Sequence, residues 1–136
     1  AVFAAAQLIR PDRTNPPTDP ARTIRAHLGS GSALADILDR SCRDCHSNDT
    51  EWRWYSQVAP ASWLMASGVS EGRKVVNFSE WGAYPPDQQR VLLLASCEDA
   101  RQGKMPGPYA WLRPETRLSV QDVDTICAAA RAGGEP

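Results

Sequence analysis

The sequence predicts an all-α domain with long loops, and three observations carry that expectation. Apolar residues recur every three or four positions in several segments, no stretch alternates with period two, and prolines and glycines cluster between the periodic segments. The chain has 136 residues, the size of one domain. A domain of this length buries roughly 68% of the surface its unfolded chain would expose, so it folds without a staple. Hydrophobic residues make up 42% and charged residues 23%, ordinary for a soluble globular protein. A net charge of −1 argues against a nucleic-acid binder, which would show a basic excess. A partner docking by charge must therefore use a local patch.

The elements follow in order. Residues 1–9, AVFAAAQLI, are apolar but far short of the roughly 20 residues that span a bilayer, and they lack the basic flank of a signal peptide. With no initiator Met, this stretch reads either as the stub of an export signal or membrane anchor or as an ordinary terminal strand or helix. Residues 10–20, RPDRTNPPTDP, hold four prolines with only polar or charged residues between them. Proline fixes φ and restricts its predecessor, so the expected division is an extended leader over 1–22 and a packed domain over 23–136.

Leu34, Ile37 and Leu38 keep a helical period after an N-cap at Gly31-Ser32, and this helix is expected to run straight into Cys42. A short helix is expected from Pro60 through Trp63, Leu64 and Met65 to about Ser67, broken by Gly68 and Gly72. A long one begins near Pro86-Asp87 and ends near Gly103. The last opens at Ser119, with Asp122 close to a capping box, and is expected to bury Val120, Val123, Ile126 and Cys127.

Cys42-Arg43-Asp44-Cys45-His46 is a C-x-x-C-H sequence, the attachment signature of c-type haem. Two thiols three positions apart at a helix end can each add across one haem vinyl group, and the adjacent histidine is then held where its imidazole can bind iron. A structural zinc site would need about four ligands, whereas Cys97 and Cys127 are isolated and His27 is the one other histidine. A thioredoxin-type pair would follow a strand in a βαβ unit, which the pattern lacks. Methionine is a common sixth ligand and raises the reduction potential. Met105 is favoured over Met65: it sits in Gly103-Lys104-Met105-Pro106-Gly107-Pro108, where few backbone states remain to be lost, while Met65 lies on an amphipathic helix as core filler.

A flat apolar cofactor also calls for flat apolar walls. Trp54, Trp63, Trp81 and Tyr109 are candidates, with Trp52, Tyr55, Phe78, Tyr84 and Trp111 near them. Their alternative role is to fill a small core. Arg73, Arg53 and Lys104 are the candidate donors to the propionates, and each is otherwise a solvated surface charge. Cys97 and Cys127 fall on two expected helices, either as a disulfide, which an export compartment permits, or as two buried thiols.

At this point the sequence resembles the bacterial haem-binding domain family of small cytochrome-like proteins over most of its length. The resemblance rests on Thr14-Asn15-Pro16-Pro17, Cys42-Arg43-Asp44-Cys45-His46-Ser47-Asn48, Trp52-Arg53-Trp54-Tyr55 and Pro60-Ala61-Ser62-Trp63-Leu64. It continues through Glu71-Gly72-Arg73, Asn77-Phe78-Ser79-Glu80-Trp81, Gly103-Lys104-Met105-Pro106 and Tyr109. It implies a cytochrome c-like helical fold wrapped around one covalent haem c, and export to the periplasm or beyond. The sequence departs from the family pattern at Gly68, where members usually carry histidine, at Arg53, where proline is usual, and near Ala128, where tryptophan is usual. The loss of a histidine at Gly68 makes Met105 the stronger ligand candidate.

The expected function is one-electron transfer by a monohaem c-type cytochrome, not an enzyme, with iron held by His46 and Met105. The expected setting is a monomer with redox partner proteins and a possible membrane anchor upstream. Two rivals are a haem-based sensor or peroxidase-like module with an open sixth site, and an interaction module that carries haem for structure.

Overall fold

A computed structural model describes residues 1–133, and every regular element among them is helical. We number the α-helices α1 (Val2–Ala6), α2 (Ile24–Leu28), α3 (Ala33–Ser41), α4 (Arg43–His46), α5 (Ala61–Val75), α6 (Pro86–Arg101), α7 (Tyr109–Leu112) and α8 (Val120–Arg131). Short 3₁₀ turns lie at 20–22, 54–57, 78–83 and 114–116. The all-α expectation holds.

Local chemistry explains where the helices start. Ser32 Oγ accepts from the Ala35 N–H at the head of α3, and Thr23 does the same for Ala26 in α2. At α8 the capping box is complete, because Ser119 accepts from the Asp122 amide while the Asp122 carboxylate accepts from the Ser119 amide. Pro86 sits at the first position of α6, where its missing N–H costs nothing. Gly103, at φ 69°, closes that helix in the left-handed region.

Helix α3 does reach the attachment motif, but Cys42 leaves helical geometry at φ −121°, and α4 restarts from it. The largest departure from expectation is α5, which does not end at Ser67 but runs on through Gly68 and Gly72 to Val75. Glycine in a helix costs roughly 1 kcal/mol each. Burial of Met65 and Val69 on this helix outweighs that cost, and the backbone of the attachment motif lies against Gly72. Helix α2 was not expected from the sequence. Val120 is another departure, being exposed rather than buried: the packing of α8 begins a turn later, with the partly buried Val123, and is deepest at Ile126, Cys127 and Ala130.

One apolar core joins Ile24 and Leu28 of α2, Leu34 and Leu38 of α3, Phe78 and Trp81, Leu93 of α6 and Ile126 of α8. A disulfide between Cys97 and Cys127, 4.8 Å apart at Cα, ties α6 to α8 and decides for the bridge over two free thiols. Residues 10–19 form no regular element, yet they are strapped across the fold. Arg13 donates to Ser56 O at 2.8 Å, Asn15 Nδ2 to Thr50 O at 2.9 Å and Asn48 Nδ2 to Pro17 O at 3.3 Å. Among the described residues no helix is long and apolar enough to cross a membrane.

Candidate functional site

Helix α4 and the last turns of α5 build one side of an apolar cavity of about 440 Å³, a volume typical of cofactor pockets. Cys42, Cys45 and His46 all line it, together with Met65, Phe78, Tyr109 and Met105. The sequence motif is therefore presented to a common space, as its chemistry requires.

The fit at α4 is close. A Cβ on Gly72 would stand 2.3 Å from the Cys45 carbonyl oxygen, so only glycine lets α5 pass this near the attachment helix. That approach brings the Gly72 and Val76 carbonyls to His46 Nδ1, at 3.0 and 3.2 Å. A carbonyl can only accept, so Nδ1 carries the proton and Nε2 keeps a free lone pair. Burial holds the imidazole pKa below its usual value, against the opposing pull of both carbonyls. The ring is thus a neutral, oriented donor of the kind iron takes.

Both cysteines are free thiols. Burial, reinforced by the neighbouring Cys45, pushes Cys42 up to about 12. Burial and the adjacent Asp44 push Cys45 up to about 11. Burial therefore keeps both protonated at neutral pH in the chain by itself. Among the described residues no cluster of three or more His, Cys, Asp and Glu is placed to hold a metal by itself. The hydroxyl of Ser41, on the same wall, is buried without a hydrogen-bond partner. An apolar cavity, a histidine with its lone pair unspent, two protonated thiols and an orphaned hydroxyl fit a haem.

Met105 and Tyr109 also line the cavity. Met105 lies at its mouth, 44% exposed, while Met65 is buried in the wall at 5%. Gly107, at φ 59°, turns the Met105 loop so tightly that a Cβ there would meet the Lys104 carbonyl oxygen at 2.7 Å.

Four of the expected contact residues are not brought to the cavity. Trp81 is 1% exposed and packs between Phe78 and Tyr84 in the core, as the core-filling alternative held. Trp63 turns outward and donates from Nε1 to Ile9 O at 2.9 Å. Trp54 is largely exposed beside a separate shallow groove that it shares with Tyr55 and Trp111. Arg73 points the opposite way, donating to Ser47 O, Thr14 O, Asn15 Oδ1 and Thr50 Oγ1. The physical reason is partly common to Trp63 and Arg73: the leader brings acceptors, Ile9 O to one and Thr14 O and Asn15 Oδ1 to the other, that hold these donors away from the cavity. Arg53 pairs with Glu51, which leaves Lys104 as the one candidate propionate donor in the lining.

The sequence reading missed Asp44, inside the motif. Its carboxylate is almost wholly buried and accepts from Tyr109 Oη and Arg113 Nη1 on Oδ2, and from the Glu51 amide on Oδ1. Burial, then the hydrogen bond to Asp44, pushes the Tyr109 phenol far above its ordinary value, so it serves as a donor. The signal available was a carboxylate between two cysteines that the motif itself forces inside.

Neither the curated proteins nor the solved structures contain a match to this chain. The family model described as a haem-binding domain matches residues 1–132, which span the leader, the attachment motif and the Met105 loop. With a cavity that fits haem and a match over nearly its whole length, the chain belongs to the haem-binding domain family.

Proposed function

We propose that the protein is an exported one-electron carrier holding one haem c through Cys42 and Cys45, with His46 and Met105 as iron ligands. The observation that carries the reading is the convergence of both thiols, the lone pair of His46 and Met105 on one apolar cavity. When bound, the haem supplies an iron that cycles between ferric and ferrous states.

The residues divide the remaining work. Cys42 and Cys45 would hold the haem as thioethers, each thiol adding sulfur to one vinyl carbon and hydrogen to the other, an addition that would need no oxidant and release nothing. The Gly72 and Val76 carbonyls keep His46 from rotating, and burial disfavours a second proton on its ring. Leu38, Leu92, Phe78 and Ile126 exclude water from the interior wall, which favours the less charged, reduced state. Redox partner proteins are the expected donors and acceptors.

Absorption spectra of the purified holoprotein, oxidised, reduced and under carbon monoxide, test this. A low-spin spectrum with the weak near-infrared band of methionine sulfur on ferric iron, indifferent to carbon monoxide, is expected. Met105→Ala should abolish the band and admit carbon monoxide, while Met65→Ala should leave the band and lower stability by roughly 2–5 kcal/mol. The reverse pattern would move the ligand to Met65.

One observation favours a second reading, an iron site open to small ligands in a sensor or peroxidase-like module. A Cβ on the cavity-lining Gly68 would meet nothing within 4 Å. Immediate carbon monoxide binding by the untreated ferrous protein would select that reading.

A further inference from the structure

Helix α7 poses a problem of support. It has four residues, far below the length at which a helix holds itself together. Trp111 is 85% exposed and Leu112 half-exposed, and only Ala110 of its residues is buried. Its close packing is with the 3₁₀ turn that directly follows it. Apolar burial therefore does little to set where α7 lies, yet α7 is three residues from Met105.

Polar contacts do the placing. Tyr109, the first residue of α7, and Arg113, just past its end, both donate to Asp44 Oδ2. The Arg113 side chain is 12% exposed and that of Asp44 5%, so the pair is shielded from solvent, where charge-assisted hydrogen bonds are strongest. Asp44 is itself immobile: Oδ1 accepts from the Glu51 amide at 3.0 Å, and its carbonyl accepts from Thr50 Oγ1 at 2.7 Å. It also lies between the two attachment cysteines.

The connection from α7 to Met105 is stiff. Pro106-Gly107-Pro108 contains two residues with fixed φ and a glycine confined by the Lys104 carbonyl. At its other end the loop is pinned to α6, where the Lys104 and Met105 amides donate to Asp99 O at 2.9 and 3.4 Å. A loop held at both ends presents its side chain in one place; released at one end, it swings.

We propose that Asp44 is a positioning residue for the sixth iron ligand, holding the Met105 loop over the cavity through Tyr109 and Arg113. The inference rests on the assignment of Met105 proposed above. It gives a motif position between the cysteines a role in ligation on the opposite side of the site.

The test compares wild-type holoprotein with Asp44→Asn, Tyr109→Phe and Met105→Ala, each checked for covalent haem by mass. The readouts are the near-infrared methionine band at 25 °C and the rate of carbon monoxide binding to the ferrous protein. Asp44→Asn and Tyr109→Phe should weaken the band and speed carbon monoxide binding by roughly tenfold, as when a closed loop loses one charge-assisted hydrogen bond. Met105→Ala should go further and lose the band entirely. General destabilisation would lower the melting temperature without moving the band of the folded protein. Tyr109→Phe keeps the test decisive if Asp44→Asn fails to fold once Arg113 loses its buried partner and keeps only Glu115 and Glu51. A wild-type band and rate in Tyr109→Phe, and in Asp44→Asn where it folds, would overturn the positioning role while leaving Met105 as ligand. A wild-type protein without the band, or a Met105→Ala protein that keeps it, would overturn the ligand assignment and the positioning role together.

Discussion

His46 and Met105 face the same cavity but are held by different means. His46 grows from a helix jammed against α5, with two backbone carbonyls on its ring and a glycine that admits the Cys45 backbone. Met105 hangs on a loop at the mouth, tied at one end to the α6 terminus and at the other to Asp44 through α7. Behind that loop, α6 is fastened to α8 by a disulfide rather than to α5 by packing. Close packing tolerates no intermediate position, so the histidine side is permanent. A loop held by polar ties at both ends can be loosened without dismantling the core, which suits the proposed sixth ligand, the one that would set potential and access.

The largest effect expected from this contrast is on the staple. Opening the Cys97–Cys127 bridge, whose ends lie 30 positions apart in sequence, should lower unfolding stability by roughly 3–4 kcal/mol. Hydrogen exchange should then rise in α6 and α8 before α4 and α5. An equal rise on both sides would break the comparison, because the disulfide would then support the whole fold.

Next comes Gly72→Ala, expected to cost roughly 3 kcal/mol in denaturant unfolding, since the new methyl must displace backbone rather than a flexible side-chain tip. A near-neutral result would mean that α4 can retreat from α5, and that the histidine side is no more rigid than the other.

The smallest effect sharpens the comparison from the same helix. Gly68→Ala meets no protein atom, so the gain in helix propensity should raise stability by roughly 0.5–1 kcal/mol. A loss in the holoprotein, with a gain in the unloaded chain, would show that haem itself occupies the space beside Gly68.

Much of this was legible in the sequence where the chemistry is local. The attachment motif, the caps at Ser32 and Ser119 and the stop at Gly103 depend on neighbours within about four residues, and all stand where the pattern puts them. The failures are all non-local. Gly68 and Gly72 read as helix breakers because their propensity cost is visible in the sequence, while the Cys45 backbone that requires Gly72 is 27 positions away. The tryptophans and Arg73 read as cofactor contacts because indole and guanidinium suit a haem edge, yet the acceptors that claim Trp63 and Arg73 lie on the leader more than 50 residues upstream.

The sequence by itself therefore determined the helical class and the C-x-x-C-H motif on which the proposed attachment and histidine ligation rest, since residue type and short spacing suffice for each. Tertiary structure alone decided that α5 runs unbroken past the motif, that Cys97 meets Cys127, that Trp81 serves the core and Trp63 the leader, and that Asp44 reaches α7. Those outcomes depend on which distant donor, acceptor or surface arrives beside a side chain, and burial then makes any unsatisfied alternative costly.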